Sequence, residues 1–208
     1  MRRVIIVGAT GSIGRQAIDV VARHPDRFSI AGLSAHSDEG GLLAAASRFR
    51  GAALCLSSRA PDSGAIAFHG PDGLRSLVRD TEADLVLNAA AGAAGLSVSF
   101  DALASGKDLA LANKETIVMA GRLAFEAAGE AGRRILPVDS EHSAIFNMIE
   151  RFGRDAVRGV VITASGGAFR DDPLESLPGK MPADALAHPT WSMGAKITVD
   201  SASMANKG

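Results

Sequence analysis

The chain contains a single cysteine, no tyrosine and one tryptophan, and aromatics make up only 4% of its 208 residues. Cys55 has no partner, so an internal disulfide is excluded, and its place in the apolar run Ala52-Ala53-Leu54-Cys55-Leu56 marks it as a small core hydrophobe. Scarcity of aromatics weakens any stacking platform for single-stranded nucleic acid. Charge of one sign is also missing: the net value of −1 gives no bulk pull toward nucleic acid or anionic lipid, although a local basic pocket is allowed. No stretch of about 18 apolar residues occurs, which excludes a spanning helix. Nor is there an internal repeat or a low-complexity tract. The first apolar run begins within four residues of Met1, leaving no room for a signal or transit peptide, so a cytoplasmic protein is expected.

What is present is enough apolar material, 47% of residues, for one substantial core, or one domain and part of a second. Apolar runs at residues 3–7, 28–33, 52–56, 83–88, 108–112, 134–138 and 157–163 read as strands. Segments of helical period lie between them, such as residues 12–23, where Ile13, Ala17, Val20 and Val21 form one stripe. That alternation predicts an α/β fold, a Rossmann-type doubly wound parallel sheet covered by helices, with a domain boundary near residue 138. After the seventh run the texture changes. Pro173, Pro178, Pro182 and Pro189 place half of the eight prolines within 17 residues, which argues against regular helix and for either a mobile lid over about residues 170–194 or a proline-rich connection.

Directly after the first strand stands Gly8-Ala9-Thr10-Gly11-Ser12-Ile13-Gly14, opening a helix. Glycines at this spacing bring the backbone close to a pyrophosphate whose charge rests on the helix N-terminus, so a dinucleotide is expected here. The choice of dinucleotide is open. After the second strand, His36 and Ser37 suit a 2′-phosphate, leaning toward NADP, whereas Asp38 suits the ribose hydroxyls of NAD.

The segment Leu111-Ala112-Asn113-Lys114-Glu115 follows the fifth strand, where ligands of doubly wound sheets gather, and Lys114 there can put a cation near a substrate oxygen. The run Pro137-Val138-Asp139-Ser140-Glu141-His142 sets two carboxylates two residues apart at a strand-to-helix junction. They suit a hard divalent cation, Mg²⁺ or Mn²⁺, and equally a helix cap followed by a first-turn charge. Ser165 with Gly166 and Gly167, and Ser201 with Asn206 and Lys207, supply the hydroxyl, amide, ammonium and backbone donors a phosphate monoester takes, though each alone is also turn chemistry.

With His188-Pro189-Thr190-Trp191-Ser192-Met193-Gly194 added, the motifs GATGSIG, LANKE, PVDSEH, SGG-x-FR and HP-x-WSMG…VDSA…NKG, in that order, closely resemble the 1-deoxy-D-xylulose 5-phosphate reductoisomerase family from Gly8 to Gly208. The resemblance implies a 1–138 NADP-binding domain and an incomplete α+β catalytic domain from 139. It implies NADPH- and metal-dependent rearrangement and reduction of 1-deoxy-D-xylulose 5-phosphate to 2-C-methyl-D-erythritol 4-phosphate in non-mevalonate isoprenoid synthesis, by a homodimer without nucleic-acid or membrane partners. In that family Gly8, Thr10, Gly11, Ser12 and Ile13 hold the NADPH pyrophosphate. Asn113 and Glu115 lie near the cofactor and Lys114 near the substrate. Asp139 and Glu141 ligate Mn²⁺ or Mg²⁺, with Co²⁺ a further option, while Ser140 contacts substrate. Ser165, Ser201, Asn206 and Lys207 grip the phosphate; His188 and Trp191 belong to the lid. Two features depart from the family pattern. His36-Ser37-Asp38 replaces a glycine-basic-asparagine segment, and the glutamate that supplies the third metal ligand would follow Gly208, so a truncated chain that binds cofactor but turns over poorly is expected. The competing expectations are an oxidoreductase like homoserine dehydrogenase, which shares Ala-Asn-Lys, and a dinucleotide-binding module without catalysis.

Overall fold

The computed structural model describes residues 1–190 and 195–205, and the chain divides into two compact units, Met1–Asp139 and the residues from Ser140 onward. The first unit is a seven-stranded sheet: β1 (Arg2–Val7), β2 (Phe28–Ala35), β3 (Ala53–Leu56), β4 (Phe68–His69), β5 (Leu85–Asn88), β6 (Asp108–Leu111) and β7 (Ile135–Pro137). Every pairing is parallel, in the order β4-β3-β2-β1-β5-β6-β7. The order reverses at β1, so the carboxyl ends of β1 and β5 open a crevice, the place where doubly wound sheets take ligands.

Helices α1 (Ser12–Arg23), α2 (Glu39–Ala46), α3 (Gly70–Asp80), α4 (Ala94–Ala104) and α5 (Lys114–Ala131) connect the strands. Alternating residues of β1 feed two separate cores. Val4 and Ile6 pack with Ile18 and Val21 of α1 and Leu42 of α2; Ile5 and Val7 pack with Leu74 and Leu77 of α3, Val98 of α4 and Ala128 of α5. Burial on both faces explains why the strands read as unbroken apolar runs. A bulge between Ile30 and Gly32 of β2 shifts the register against β1, so that Ile30, Leu33 and Ala35 all reach the first core while Ala31 reaches the second. Cys55 is fully buried in the second core, where burial pushes its thiol up to about 12.

In the second unit the described residues form α6 (Ser140–Phe152), short 3-10 turns at Arg154–Ala156, Leu174–Gly179 and Asp184–Leu186, and α7 (Ala195–Ser203). The proline-rich segment is thus turns rather than regular helix. The expected seventh strand at residues 157–163 is not formed: no ladder includes it, and Val161 is 91% exposed. A β-branched apolar run becomes a strand only when a neighbour takes its N–H and C=O groups, and the described residues offer none. The seven-stranded count is met instead by β4, a two-residue edge strand that no periodicity signals.

Candidate functional site

The turn after β1 is built around glycine. Gly8 has φ +83°, and a Cβ there would meet the Ala89 carbonyl oxygen at 2.6 Å, across the crevice on the loop that follows β5. A Cβ on Gly14 would lie 2.2 Å from the Gly8 oxygen, so the first turn of α1 packs directly on the loop. The N–H groups of Gly8 and Ala9 donate to the Ser34 carbonyl at 3.1 and 2.7 Å, fastening the turn to β2. At Gly11, the N-cap of α1, no side chain caps the helix, and its first turn holds no acidic residue. By contrast, α2 and α5 are capped by Asp38 and Asn113. An uncapped helix start beside a glycine turn is a fitting cradle for a pyrophosphate; Thr10, Gly11, Ser12 and Ile13 all sit in it, with Ser12 and Ile13 exposed.

The opposite rim is fixed by buried amides. Asn88, fully buried, donates to Gly95 O at 2.7 Å and Ser99 Oγ at 2.9 Å, and accepts from the Ala90 N–H at 3.2 Å. Ser99 Oγ and Thr116 Oγ1 are 2.9 Å apart. The Asn113 side chain donates to Ala90 O at 2.8 Å, Gly92 O at 2.9 Å and Glu115 Oε2 at 3.1 Å, while its Oδ1 accepts from Thr116 N–H at 2.9 Å. The amide of Asn113, 2% exposed, is therefore spent on holding the 89–92 loop and capping α5. Lys114, the first residue of α5, pairs its ammonium with Asp139 Oδ2 at the carboxyl edge of the sheet. A lysine expected near substrate and a carboxylate expected on metal thus neutralise each other.

At the tip of β2, His36 Nδ1 and Ser57 Oγ lie 3.2 Å apart. Asp38 Oδ1 accepts from the Gly41 N–H at 2.8 Å, so this carboxylate serves as the α2 cap. Ser37 lines a cleft of about 660 Å³ together with Asp38, Glu39, Arg59, Asp62 and Ser63. Glu39 accepts from Asp62 N–H at 3.1 Å and Ser63 N–H at 2.7 Å and pairs with Arg59 at 3.1 Å. The two backbone donors, Asp62 first, and the guanidinium hold its carboxyl below the usual range. Neither Arg59 nor Glu39 was signalled by a motif: Glu39 arrives as the first residue of α2, and Arg59 only through the alignment of β3 with β2.

In the second unit, His188 Nδ1 accepts from the Thr190 N–H at 3.0 Å, which puts the ring proton on Nε2. Nε2 stands 3.1 Å from Ser165 Oγ and 3.2 Å from Gly166 O. Arg170 donates to Ser165 O at 2.6 Å, and Gly167 abuts Ala202 of α7, where a Cβ would come within 2.4 Å. The structure therefore joins Ser165 and His188 directly and lays the 165–167 turn against α7. Ser201, buried, donates inside that helix to Thr198 O at 2.7 Å. Ser140 Oγ donates to Glu141 Oε2 at 3.0 Å. Trp191, Asn206 and Lys207 lie outside the described residues.

For a divalent cation the donor set suits oxygen-seeking metals: Asp139 and Glu141 are two residues apart in the chain. No group of three or more His, Cys, Asp or Glu able to hold a metal occurs among the described residues. Likewise, no described helix is long and apolar enough to cross a membrane.

Comparison with known proteins adds sequence and shape. Residues 4–121 match the family model of 1-deoxy-D-xylulose 5-phosphate reductoisomerase, and residues 135–208 match that of the C-terminal domain of the same enzyme. The reductoisomerase of Ruegeria pomeroyi is 47% identical over 216 residues, covering 100% of this chain and 54% of the relative. That of Treponema denticola is 45% identical over 206 residues, covering 99% and 54%. Among solved structures, a reductoisomerase in complex with NADPH, fosmidomycin and magnesium superposes with a TM-score of 0.85 at 37% identity, covering 100% of this chain and 56% of that one. The Zymomonas mobilis enzyme in complex with NADPH gives 0.85 at 38% identity, covering 99% and 55%. The chain spans about half the length of the curated relatives it matches.

Proposed function

Because this chain belongs to the 1-deoxy-D-xylulose 5-phosphate reductoisomerase family, we propose that the protein it forms rearranges and reduces 1-deoxy-D-xylulose 5-phosphate to 2-C-methyl-D-erythritol 4-phosphate, with NADPH as reductant and Mg²⁺ or Mn²⁺ as metal. The observation that carries this reading is the uncapped start of α1 on the Gly8–Gly14 turn, facing a rigid 89–92 rim at the switch point of the sheet. The backbone N–H groups of that start would receive the pyrophosphate. NADPH, once bound, supplies the hydride. Asp139 and Glu141 would hold the cation, which supplies Lewis acidity at the substrate oxygens.

The remaining work falls to the chain's own residues. Lys114 orients Asp139 through their ion pair and places a cation at the carboxyl edge of the sheet, where a substrate oxygen would meet it. His188, as the Nε2–H tautomer, donates toward Ser165 Oγ, which leaves the serine proton to go to a phosphate oxygen. Ser201, which donates to Thr198 O, is the further hydroxyl that would turn to the phosphate. Trp191, Asn206, Lys207 and the lid they imply belong to the same reading by family resemblance, as do a homodimer, a cytoplasmic setting, the domain limits 1–138 and 139–208, and a place in isoprenoid synthesis. The test is NADPH oxidation by the protein carrying this sequence on addition of 1-deoxy-D-xylulose 5-phosphate and Mg²⁺ or Mn²⁺. No metal-dependent oxidation, in a preparation that binds NADPH, would refute the reaction and leave only the nucleotide site.

A further inference from the structure

The turn after β2 presents a problem for a phosphorylated nucleotide. Its residues His36, Ser37 and Asp38 include no permanent cation, and Asp38 is committed to the α2 N-cap. The adenosine ribose nevertheless arrives here: the Gly8–Gly14 turn is tied to Ser34, one residue before the end of β2, and the ribose follows the pyrophosphate along that edge. A dianion left facing Asp38 and Ser37 alone would be repelled.

The neighbouring strand supplies what the turn lacks. Ala35 pairs with Leu56, and the ladder runs on past both strands, with Ser57 N–H donating to Ala35 O at 3.0 Å and Ser58 N–H to His36 O at 2.9 Å. Residues 57–59 are thereby carried alongside residues 35–37, and Arg59 enters the cleft that Ser37 lines, the one cation among the lining residues. Its guanidinium is anchored through both terminal nitrogens. Nη2 bonds Glu39 Oε2 at 3.1 Å and Asp62 Oδ2 at 3.2 Å, and Nη1 bonds Ala60 O at 2.8 Å. Among the described residues Nε–H has no acceptor, and the side chain is 47% exposed. The two carboxylate anchors differ in kind. Glu39, 12% exposed, is locked by two backbone donors, whereas Asp62, 87% exposed, forms only a solvated surface pair.

We propose that Arg59 is the cation that receives the 2′-phosphate of NADPH, reaching from the end of β3 into the place of the basic residue missing after β2. The proposal rests on the nucleotide reading of the Gly8–Gly14 turn. Glu39 acts as the fixed hinge of the fork, and the phosphate replaces the exposed Asp62 carboxylate, while Ser37 lies beside it as a hydroxyl donor. Arg59 is in this sense a specificity residue: it distinguishes NADPH from NADH and takes no part in the chemistry.

Dissociation constants for NADPH and NADH, measured by titration of wild-type, Arg59→Ala, Arg59→Gln and Arg59→Lys chains, test this directly, since NADH shares every contact except the phosphate. Arg59→Ala should weaken NADPH by about tenfold or more, the scale of a lost charge-assisted bond, and move NADH by less than about twofold. Arg59→Lys should fall between, keeping charge but not the fork. Arg59→Gln keeps a hydrogen bond to Glu39 without charge, and matches the Ala variant if charge is what matters; it replaces that variant should Ala fail to fold. Equal loss for both nucleotides would show that Arg59 merely pins the 59–63 loop, and an unchanged NADPH-to-NADH ratio would equally overturn the proposal. Failure of both nucleotides to bind the wild-type chain would instead overturn the nucleotide reading itself, and the proposal with it.

Discussion

Replacing Asn113 with alanine tests whether the rim of the crevice is held by that one amide. The substitution removes the acceptor for the Thr116 N–H, costing α5 its N-cap, and strips the donors from Ala90 O and Gly92 O. A lost cap costs about 1 kcal/mol. Each carbonyl, only half buried and therefore open to a replacing water, adds somewhat under about 1 kcal/mol, and the Thr116 hydroxyl, fully buried, loses one of its two partners at a similar cost. Together the loss comes to about 3 kcal/mol, or a fall of roughly 6–12 °C in the melting temperature of a unit of this size. Urea unfolding followed by circular dichroism measures it, with Asn113→Asp as the companion. That variant keeps the cap but turns a carboxylate on two carbonyls and Glu115, so it should be no better than alanine near neutral pH. An Asn113→Ala chain within 1 kcal/mol of wild type would refute the idea that these bonds carry the rim.

Gly14→Ala should destabilise by about 2 kcal/mol or more and abolish tight nucleotide binding, because its Cβ would sit on the Gly8 backbone; Gly40→Ala, with nothing within 4 Å, should be neutral or slightly stabilising, and equal melting temperatures for the two would contradict the packing described. Cys55 should resist thiol reagents in the native state, since it is fully buried with its thiol pushed up to about 12; labelling should track urea-induced opening, and prompt stoichiometric labelling would show that the second core is open. Because the carboxyl of Glu39 is held low in the folded chain, its contribution is present above the ordinary carboxylate value of about 4.3 and lost only as pH falls further, through the lowered folded value. The Ser63 amide resonance should accordingly stay constant around neutrality and shift only in that acid range.

The sheet was legible in the sequence because its central strands are buried on both faces and read as continuous apolar runs. The edge strand Phe68–His69 is too short to carry any period. Residues 157–163 misled for the opposite reason: composition records what a segment would gain in a ladder, not whether a neighbour is there to form one. At the site, the Gly8–Gly14 turn was readable since one short segment contains both the glycines and the helix start. The role of Asn113 was not, because its amide is consumed by carbonyls 21 and 23 residues away, and Arg59 reaches its cleft only through the β2–β3 register. The Ser165–His188 contact likewise spans 23 residues.

The amide web that joins Asn88, Ser99, Asn113 and Thr116 has an entropic consequence. Fixing one backbone residue forgoes about 1–2 kcal/mol of conformational freedom at room temperature. For the four residues of the 89–92 loop, that loss is met when the chain folds, by bonds present before any nucleotide arrives. Association therefore has no disordered jaw to organise on this side of the crevice, and the contact energy there appears undiminished as affinity. Whatever adjusts to an incoming ligand does so against a stationary edge, which acts as its reference frame.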